Sequence, residues 1–168
     1  MVGRSHVTVE NFHVEAGKVE EFARAVHDYN PVHRSEATAH AAGNPTIPAP
    51  LTFTRTDRFP RYCPPHLKDS PRRGFGLGFD RERTVHGEQE YEFDRPVYVG
   101  DTLTGTTTLT DVFQKEGSRG GLMTFAVLET EYRDKAGNRV LVARQTRIEL
   151  AGESDERRER NDGGESDG

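Results

Sequence analysis

One cysteine, Cys63, is all the sequence holds, so no internal disulfide can form, and no Cys/His pair has the spacing of a structural zinc site. Long apolar runs are missing as well. Stretches such as Val140-Leu141-Val142-Ala143 fall far short of the roughly 18 residues that a membrane-spanning helix requires. With no apolar signal-peptide core at the N-terminus, the sequence predicts a cytoplasmic protein without a membrane segment. Apolar residues are only 32% of the chain and charged ones reach 30%. That balance predicts a core completed by a partner subunit, or a disordered portion of the chain.

The charge distribution locates the disordered portion. Residues 152–168 carry seven acids, three arginines and no apolar side chain, which predicts a disordered acidic tail. Removing it from the totals of 28 acids and 23 bases leaves 21 acids and 20 bases over residues 1–151. A nearly neutral body offers no basic face for nucleic acid. Its length suits a single domain.

Ser5 to Val14 alternates as a short edge strand would. After Gly17, residues Val19, Phe22, Ala23 and Val26 recur at helical spacing over 18–27, and Pro31 stops or bends that helix. Ser35 is placed to cap a second helix over 36–42, ended by Gly43. Pro45, Pro48 and Pro50 impose an extended connection, and Pro50 suits the first turn of a third helix opening at Leu51 and ending near Pro60 to Pro64. Residues 64–83 read as a long surface excursion. Within it, Gly74-Phe75-Gly76-Leu77-Gly78 follows no strand and opens no helix, so it predicts a flexible active-site loop rather than a nucleotide-binding one. From Thr84 four β-rich runs follow, over 85–93, 102–113, 122–132 and 139–150, joined by glycine-containing turns, with Asp101 in a corner. Helices followed by an antiparallel sheet give an α+β fold whose one apolar face needs a helix laid over it.

The chemistry centres on Asp28-Tyr29-Asn30-Pro31-Val32-His33, where a carboxylate and an imidazole stand five residues apart across a proline. A bend there can aim both at one water, a device for adding water to a carbon–carbon double bond or removing it. The same residues also fit a local role, with Asp28 capping the Asn-Pro turn and His33 packing nearby.

Asp28-x-Asn30-Pro31-x-His33, followed by Ala37, Ala39 and Ala42-Gly43, resembles the signature of the MaoC-like (R)-specific enoyl-CoA hydratases. The segments 85–93 and Arg95-Pro96-Val97-Tyr98-Val99-Gly100-Asp101 resemble the N-terminal-type MaoC dehydratase domain, so that the matches span most of residues 5–150. The resemblance implies a single hot-dog domain, a long helix wrapped by a curved antiparallel sheet of about five strands. It implies hydration of a 2-enoyl thioester to the (R)-3-hydroxyacyl form, with Asp28 and His33 as the catalytic pair and Asn30 and Pro31 ordering the loop. No metal or cofactor is implied, coenzyme A or a carrier phosphopantetheine being part of the substrate. The thioester would lie in a tunnel between two hot-dog subunits, identical or different.

One departure stands out. Where catalytic members carry a glycine whose N–H polarises the thioester carbonyl, this chain reads Ala49-Pro50-Leu51-Thr52-Phe53, and proline has no N–H. Leu51 N–H, at a helix start, becomes the candidate oxyanion donor. The Ala-Pro-Leu-Thr-Phe form also resembles half-domains that lost catalysis, which gives a second expectation: a non-catalytic subunit shaping the acyl channel of a separate hydratase. A third is a thioesterase, with Asp57 as the only acid on the expected central helix. Arg72, Arg73, Arg81 and Arg83 are candidates for the phosphates of the carrier. His86 is expected to satisfy a backbone carbonyl, and the other histidines show no metal-ligand spacing.

Overall fold

Five strands, β1 (Ser5–His13), β2 (Thr84–Phe93), β3 (Thr102–Glu116), β4 (Leu122–Arg133) and β5 (Arg139–Glu149), make one antiparallel sheet in the order β1-β3-β4-β5-β2. This is the architecture of a computed structural model that describes residues 1–70, 75–117 and 121–152. The acidic tail expected over 152–168 lies outside the described residues except for Gly152, as do Arg72, Arg73 and Gly74. Among the described residues no helix is long and apolar enough to cross a membrane.

The strands follow from β-branched and aromatic residues on a two-residue period. Along β3 the inward side chains are Leu103, Thr107 and Leu109, with Gly105 between them. A Cβ at Gly105 would stand 3.1 Å from both the Tyr132 ring and the Val9 side chain, so a bare backbone lets β1, β3 and β4 pack closely there. The core is aromatic at its centre. Phe53 stacks on Phe12 at 5.8 Å and meets Phe22 edge-on at 5.6 Å, while Tyr62 meets Phe12 edge-on at 5.0 Å. Phe12 and Phe53 are fully buried, each contributing about 2–3 kcal/mol of apolar transfer. Lys18 reaches over the Tyr62 ring and donates to its hydroxyl, joining the first helix to this cluster.

The first helix, α1 (Ala16–Ala25), buries Val19 and Ala23. It ends earlier than Pro31 requires, because His27 takes a left-handed φ of 59° and closes the helix with paired bonds: His27 N–H to Arg24 O and Asp28 N–H to Ala23 O. The second, α2 (Glu36–Ala41), starts where expected, Ser35 Oγ accepting the Thr38 N–H at 3.2 Å.

The long wrapped helix is the main correction to the sequence-based expectation. Between Leu51 and Pro64 the chain forms only short 3₁₀ turns, Phe53–Arg58 and Pro60–Tyr62, with a further one at Pro65–Leu67. Prolines 60, 64 and 65 explain it. Each lacks an N–H, and each pushes the residue before it out of helical geometry, so an α-helix opened at Leu51 has nowhere to continue. The 3₁₀ segment still covers the apolar face of the sheet through Phe53. It does so over a shorter length than a full helix would, and part of the inner sheet face is left lining a cavity.

Candidate active site

The hydrogen-bonded end of α1 is what places Asp28. Its N–H is tied to Ala23 O at 2.8 Å, and its carboxylate then divides its work. Oδ1 accepts the Asn30 N–H at 3.0 Å in a local turn, and Oδ2 lies 3.1 Å from His33 Nε2. Asn30 in turn accepts the Val32 N–H through its side chain at 3.1 Å, capping a 3₁₀ turn over Pro31–His33. One oxygen of Asp28 thus orders the turn and the other meets the imidazole.

His33 is fixed from its far side. Its Nδ1 lies 2.8 Å from Pro48 O, and since a carbonyl only accepts, Nδ1 carries a hydrogen. The remaining nitrogen, Nε2, then faces a carboxylate oxygen. A contact between two acceptors is repulsive, so one proton resides between Nε2 and Oδ2. The His33 side chain is largely buried at 12% exposure and that of Asp28 is open at 39%. The pair therefore has a packed floor and an accessible mouth.

Pro48 is itself held in register by the corner at 95–101. Ala49 N–H donates to Val97 O at 2.7 Å and Val99 N–H to Ile47 O at 2.9 Å, a short antiparallel ladder that brackets Pro48. Asp101, the expected turn residue, is more than that. It takes two bonds from the Arg95 guanidinium, at 2.8 and 3.0 Å, and one from Tyr98 N–H at 2.8 Å. The lead in sequence was Arg95 and Asp101 flanking Pro96 and Gly100.

Three residues beyond Pro48, the backbone reaches Leu51 at the mouth of the 3₁₀ turn. Among the described residues, the N–H groups of Leu51 and Thr52 donate to no acceptor, whereas Phe53 N–H is already used by Pro50 O. Leu51 is 69% exposed. The sequence thus brings a free pair of donors near the carbonyl on which His33 rests.

A cavity of about 420 Å³ lies between the 3₁₀ segment and the inner face of the sheet. Thr54, Arg55, Asp57 and Arg58 line one side, and Thr107, Thr130, Tyr91, Gln89, Gln145 and Arg147 are among those on the other. Neither Asp28 nor His33 lines it. Asp57, the expected thioesterase acid, is buried in this wall with Oδ2 accepting the Tyr132 hydroxyl at 2.5 Å. Burial raises the Tyr91 hydroxyl above the usual tyrosine value, with Arg55 pulling it the other way.

The arginines expected to meet carrier phosphates divide. Arg72 and Arg73 are outside the described residues, and Arg81 lines the cavity. Arg83 is committed elsewhere, to Asp80 at 3.1 Å and to Leu150 O at 2.8 Å. His86 is exposed on β2 and its ring makes no hydrogen bond among the described residues, which corrects its expected bond to a backbone carbonyl. Phe75, from the expected flexible loop, is instead buried against Leu109 and Leu128. Among the described residues no group of three His, Cys, Asp or Glu side chains is arranged to hold a metal.

Comparison with known proteins places this geometry. The family model described as "FAS1-like, dehydratase domain region" matches residues 1–143. A UPF0336 protein of Streptomyces coelicolor is 34% identical over 143 residues, which cover 85% of this chain and 88% of that one. A UPF0336 protein of Mycobacterium tuberculosis is 30% identical over 143 residues, covering 85% and 80%. Among solved structures, a MaoC-like dehydratase superposes with a TM-score of 0.72 at 28% identity over 90% of this chain. That covers 42% of the other chain, so this protein spans less than half of it. The truncated HadBC (3R-hydroxyacyl-ACP dehydratase) complex of Mycobacterium tuberculosis gives 0.68 at 26% identity, covering 88% of this chain and 96% of that one. The chain belongs to the FAS1-like dehydratase family and has the MaoC-like hot-dog fold.

Proposed function

We propose that this protein catalyses reversible hydration of a 2-enoyl thioester to the (R)-3-hydroxyacyl thioester, with Asp28 and His33 as the acid/base pair. The observation that carries the reading is the 3.1 Å contact between Asp28 Oδ2 and His33 Nε2, held open to solvent on the carboxylate side. Two groups sharing one proton can accept a second from an attacking water and return one to the substrate. Water's oxygen bonds to C3 as one of its protons passes to the pair, and the pair delivers a proton to C2. The pair ends with the proton count it began with.

Enolate charge on the thioester oxygen needs donors placed in advance. Leu51 and Thr52 N–H fit that need, because they are unused and stand at the start of a turn. Asn30 and Pro31 hold the loop, and Arg81 is a candidate contact for a charged part of the substrate. Coenzyme A or a carrier phosphopantetheine would arrive with the substrate, so no resident cofactor is required. A second hot-dog subunit, the same chain or a relative, would cover Tyr29 and Leu51, which are 62% and 69% exposed beside the pair in sequence. The name of the HadBC complex, a similar structure, supports an assembly of that kind.

A second reading is favoured by one observation: the pair does not line the 420 Å³ cavity. On that reading the chain shapes the acyl channel of a separate hydratase. Loss of enoyl absorbance from crotonyl-CoA, followed for the purified chain alone and with candidate hot-dog partners, separates the two. Turnover by the chain alone supports catalysis; turnover only with a partner, unaffected by Asp28→Asn, supports the channel role.

A further inference from the structure

The inner face of the sheet changes character along its length. In one row running across the strands, Thr107, Thr130, Ala143 and Tyr91 are register neighbours, and in the next row Leu109, Leu128, Gln145 and Gln89 are. Hydroxyls continue across the first row, Thr8 to Thr107 at 2.7 Å and Thr107 to Thr130 at 2.8 Å. Facing these rows, the 3₁₀ segment lays down Arg55 and Arg58, and Arg81 and Arg147 complete four guanidiniums around the cavity against one carboxylate, Asp57.

Such a wall is poorly suited to an alkyl chain. Packing methylenes against it would strip water from arginines and hydroxyls without replacing the lost hydrogen bonds. Tyr91 Oη is already buried with no hydrogen bond of normal geometry, its nearest polar influences being Arg55 and Thr54. Arg55 is half-buried, its backbone N–H is used by Thr52 O, and its guanidinium makes no hydrogen bond or ion pair among the described residues. The lining holds four cationic side chains and a single acid, Asp57, whose Oδ2 also accepts the Tyr132 hydroxyl. A planar anion matches the wall: guanidinium forks pair with a carboxylate at two points, and a tyrosine hydroxyl adds a third donor.

Position connects the cavity to the chemistry. Leu51, the candidate carbonyl-binding donor, stands two residues before the 3₁₀ turn Phe53–Arg58 that carries Arg55. The volume of about 420 Å³ sits toward the small end of ligand sites, which run from about 300 to 1,000 Å³.

We propose that this cavity binds the terminal carboxylate of a short acyl group, so that the substrates are monothioesters of unsaturated dicarboxylic acids and not alkyl enoyl thioesters. The binding half stands on the cavity alone; the substrate half rests on the hydratase reading above.

The test uses the full chain in two arms. In the first, binding of glutarate and of its neutral analogue glutaramide is measured calorimetrically at fixed ionic strength. Glutarate binds, glutaramide does not, and Arg55→Gln weakens glutarate at least about tenfold, the scale of one lost charge-assisted bond. Arg55→Lys, which keeps the charge but not the fork, gives an intermediate loss and serves if Arg55→Gln fails to fold. Equal binding of the two probes, or wild-type affinity in both variants, overturns the proposal. In the second arm, hydration of glutaconyl-CoA is compared with crotonyl-CoA, with a preference of at least about tenfold in kcat/KM expected, narrowing toward parity in Arg55→Gln. If glutarate binds through Arg55 but neither thioester is hydrated, the carboxylate site stands and the hydratase reading falls. If crotonyl-CoA is preferred and glutarate does not bind, the hydratase reading stands and this proposal falls.

Discussion

Arg95 grips Asp101 with both arms of its guanidinium, at 2.8 and 3.0 Å, and Asp101 passes the hold on by accepting the Tyr98 N–H at 2.8 Å. Through the ladder between 47–49 and 97–99, this clamp fixes the Pro48 carbonyl that His33 leans on. An aspartate in a turn thereby acts at a distance on an imidazole. Replacing Asp101 with Ala should destabilise the fold by about 2 kcal/mol in urea titration, the scale of bonds to a charged partner. Asp101→Asn, which keeps some of the bonds, should lose less stability yet still lower kcat more than it raises KM, because it loosens His33 without touching bound substrate.

His27 occupies a left-handed conformation at φ 59°, where a side chain is costly and glycine is not. His27→Gly should therefore raise stability by about 0.5–1 kcal/mol in chemical denaturation, while hydration activity stays near that of the parent. A loss of stability would mean that the ring of His27 contributes more through its neighbours than the backbone loses.

Phe53 joins the aromatic cluster to the 3₁₀ turn, stacked on Phe12 and edge-on to Phe22. Its truncation to Ala should cost about 3–5 kcal/mol, measured by thermal or urea unfolding. Truncation of exposed Phe59, at 55% exposure, should cost far less in the isolated chain.

Acid sensitivity is expected from the surface carboxylates held below their ordinary values, Asp94 and Asp80 among them. Asp94 is held below its ordinary value of 3.8 by hydrogen bonds from Arg139, and Asp80 by the Glu82 N–H and then by Arg83. Because the folded form releases these protons more readily than the unfolded chain, their contribution is complete above the unfolded value and fades as pH falls through and below it. Thermal midpoints should be level down to about pH 5 and decline toward pH 3. Asp94→Asn should flatten part of that decline, and an unchanged slope would assign the acid sensitivity to other groups.

Local signals carried much of this structure. The Ser35 cap, the two-residue period of β3 to β5 and the Asp-x-Asn-Pro-x-His spacing all translate directly into geometry, since each depends on neighbours in sequence. The missing central helix was written in Pro60, Pro64 and Pro65, but the Pro50 start signal competes with them, and only packing decides how much helix survives. The end of α1 could not be read, because nothing in the identity of His27 announces a left-handed backbone. Nor could the cavity. Thr107, Gln145 and Arg147 look in sequence like solvent-facing positions of ordinary strands. That they point inward shows only when Ala143, Gln145 and Arg147 are followed along one face of β5 beneath the shortened 3₁₀ cover.

The most direct measurement is the hydration rate of enoyl thioesters, crotonyl-CoA and glutaconyl-CoA, by the Asp28→Asn protein beside the parent, with folding of both checked by thermal melting. Asp28→Asn should lose at least about 100-fold in kcat for whichever thioester the parent hydrates, with an unshifted melt, because the amide can still accept from Asn30 but cannot take a proton from water. A well-folded Asp28→Asn protein that hydrates at the parental rate would contradict it.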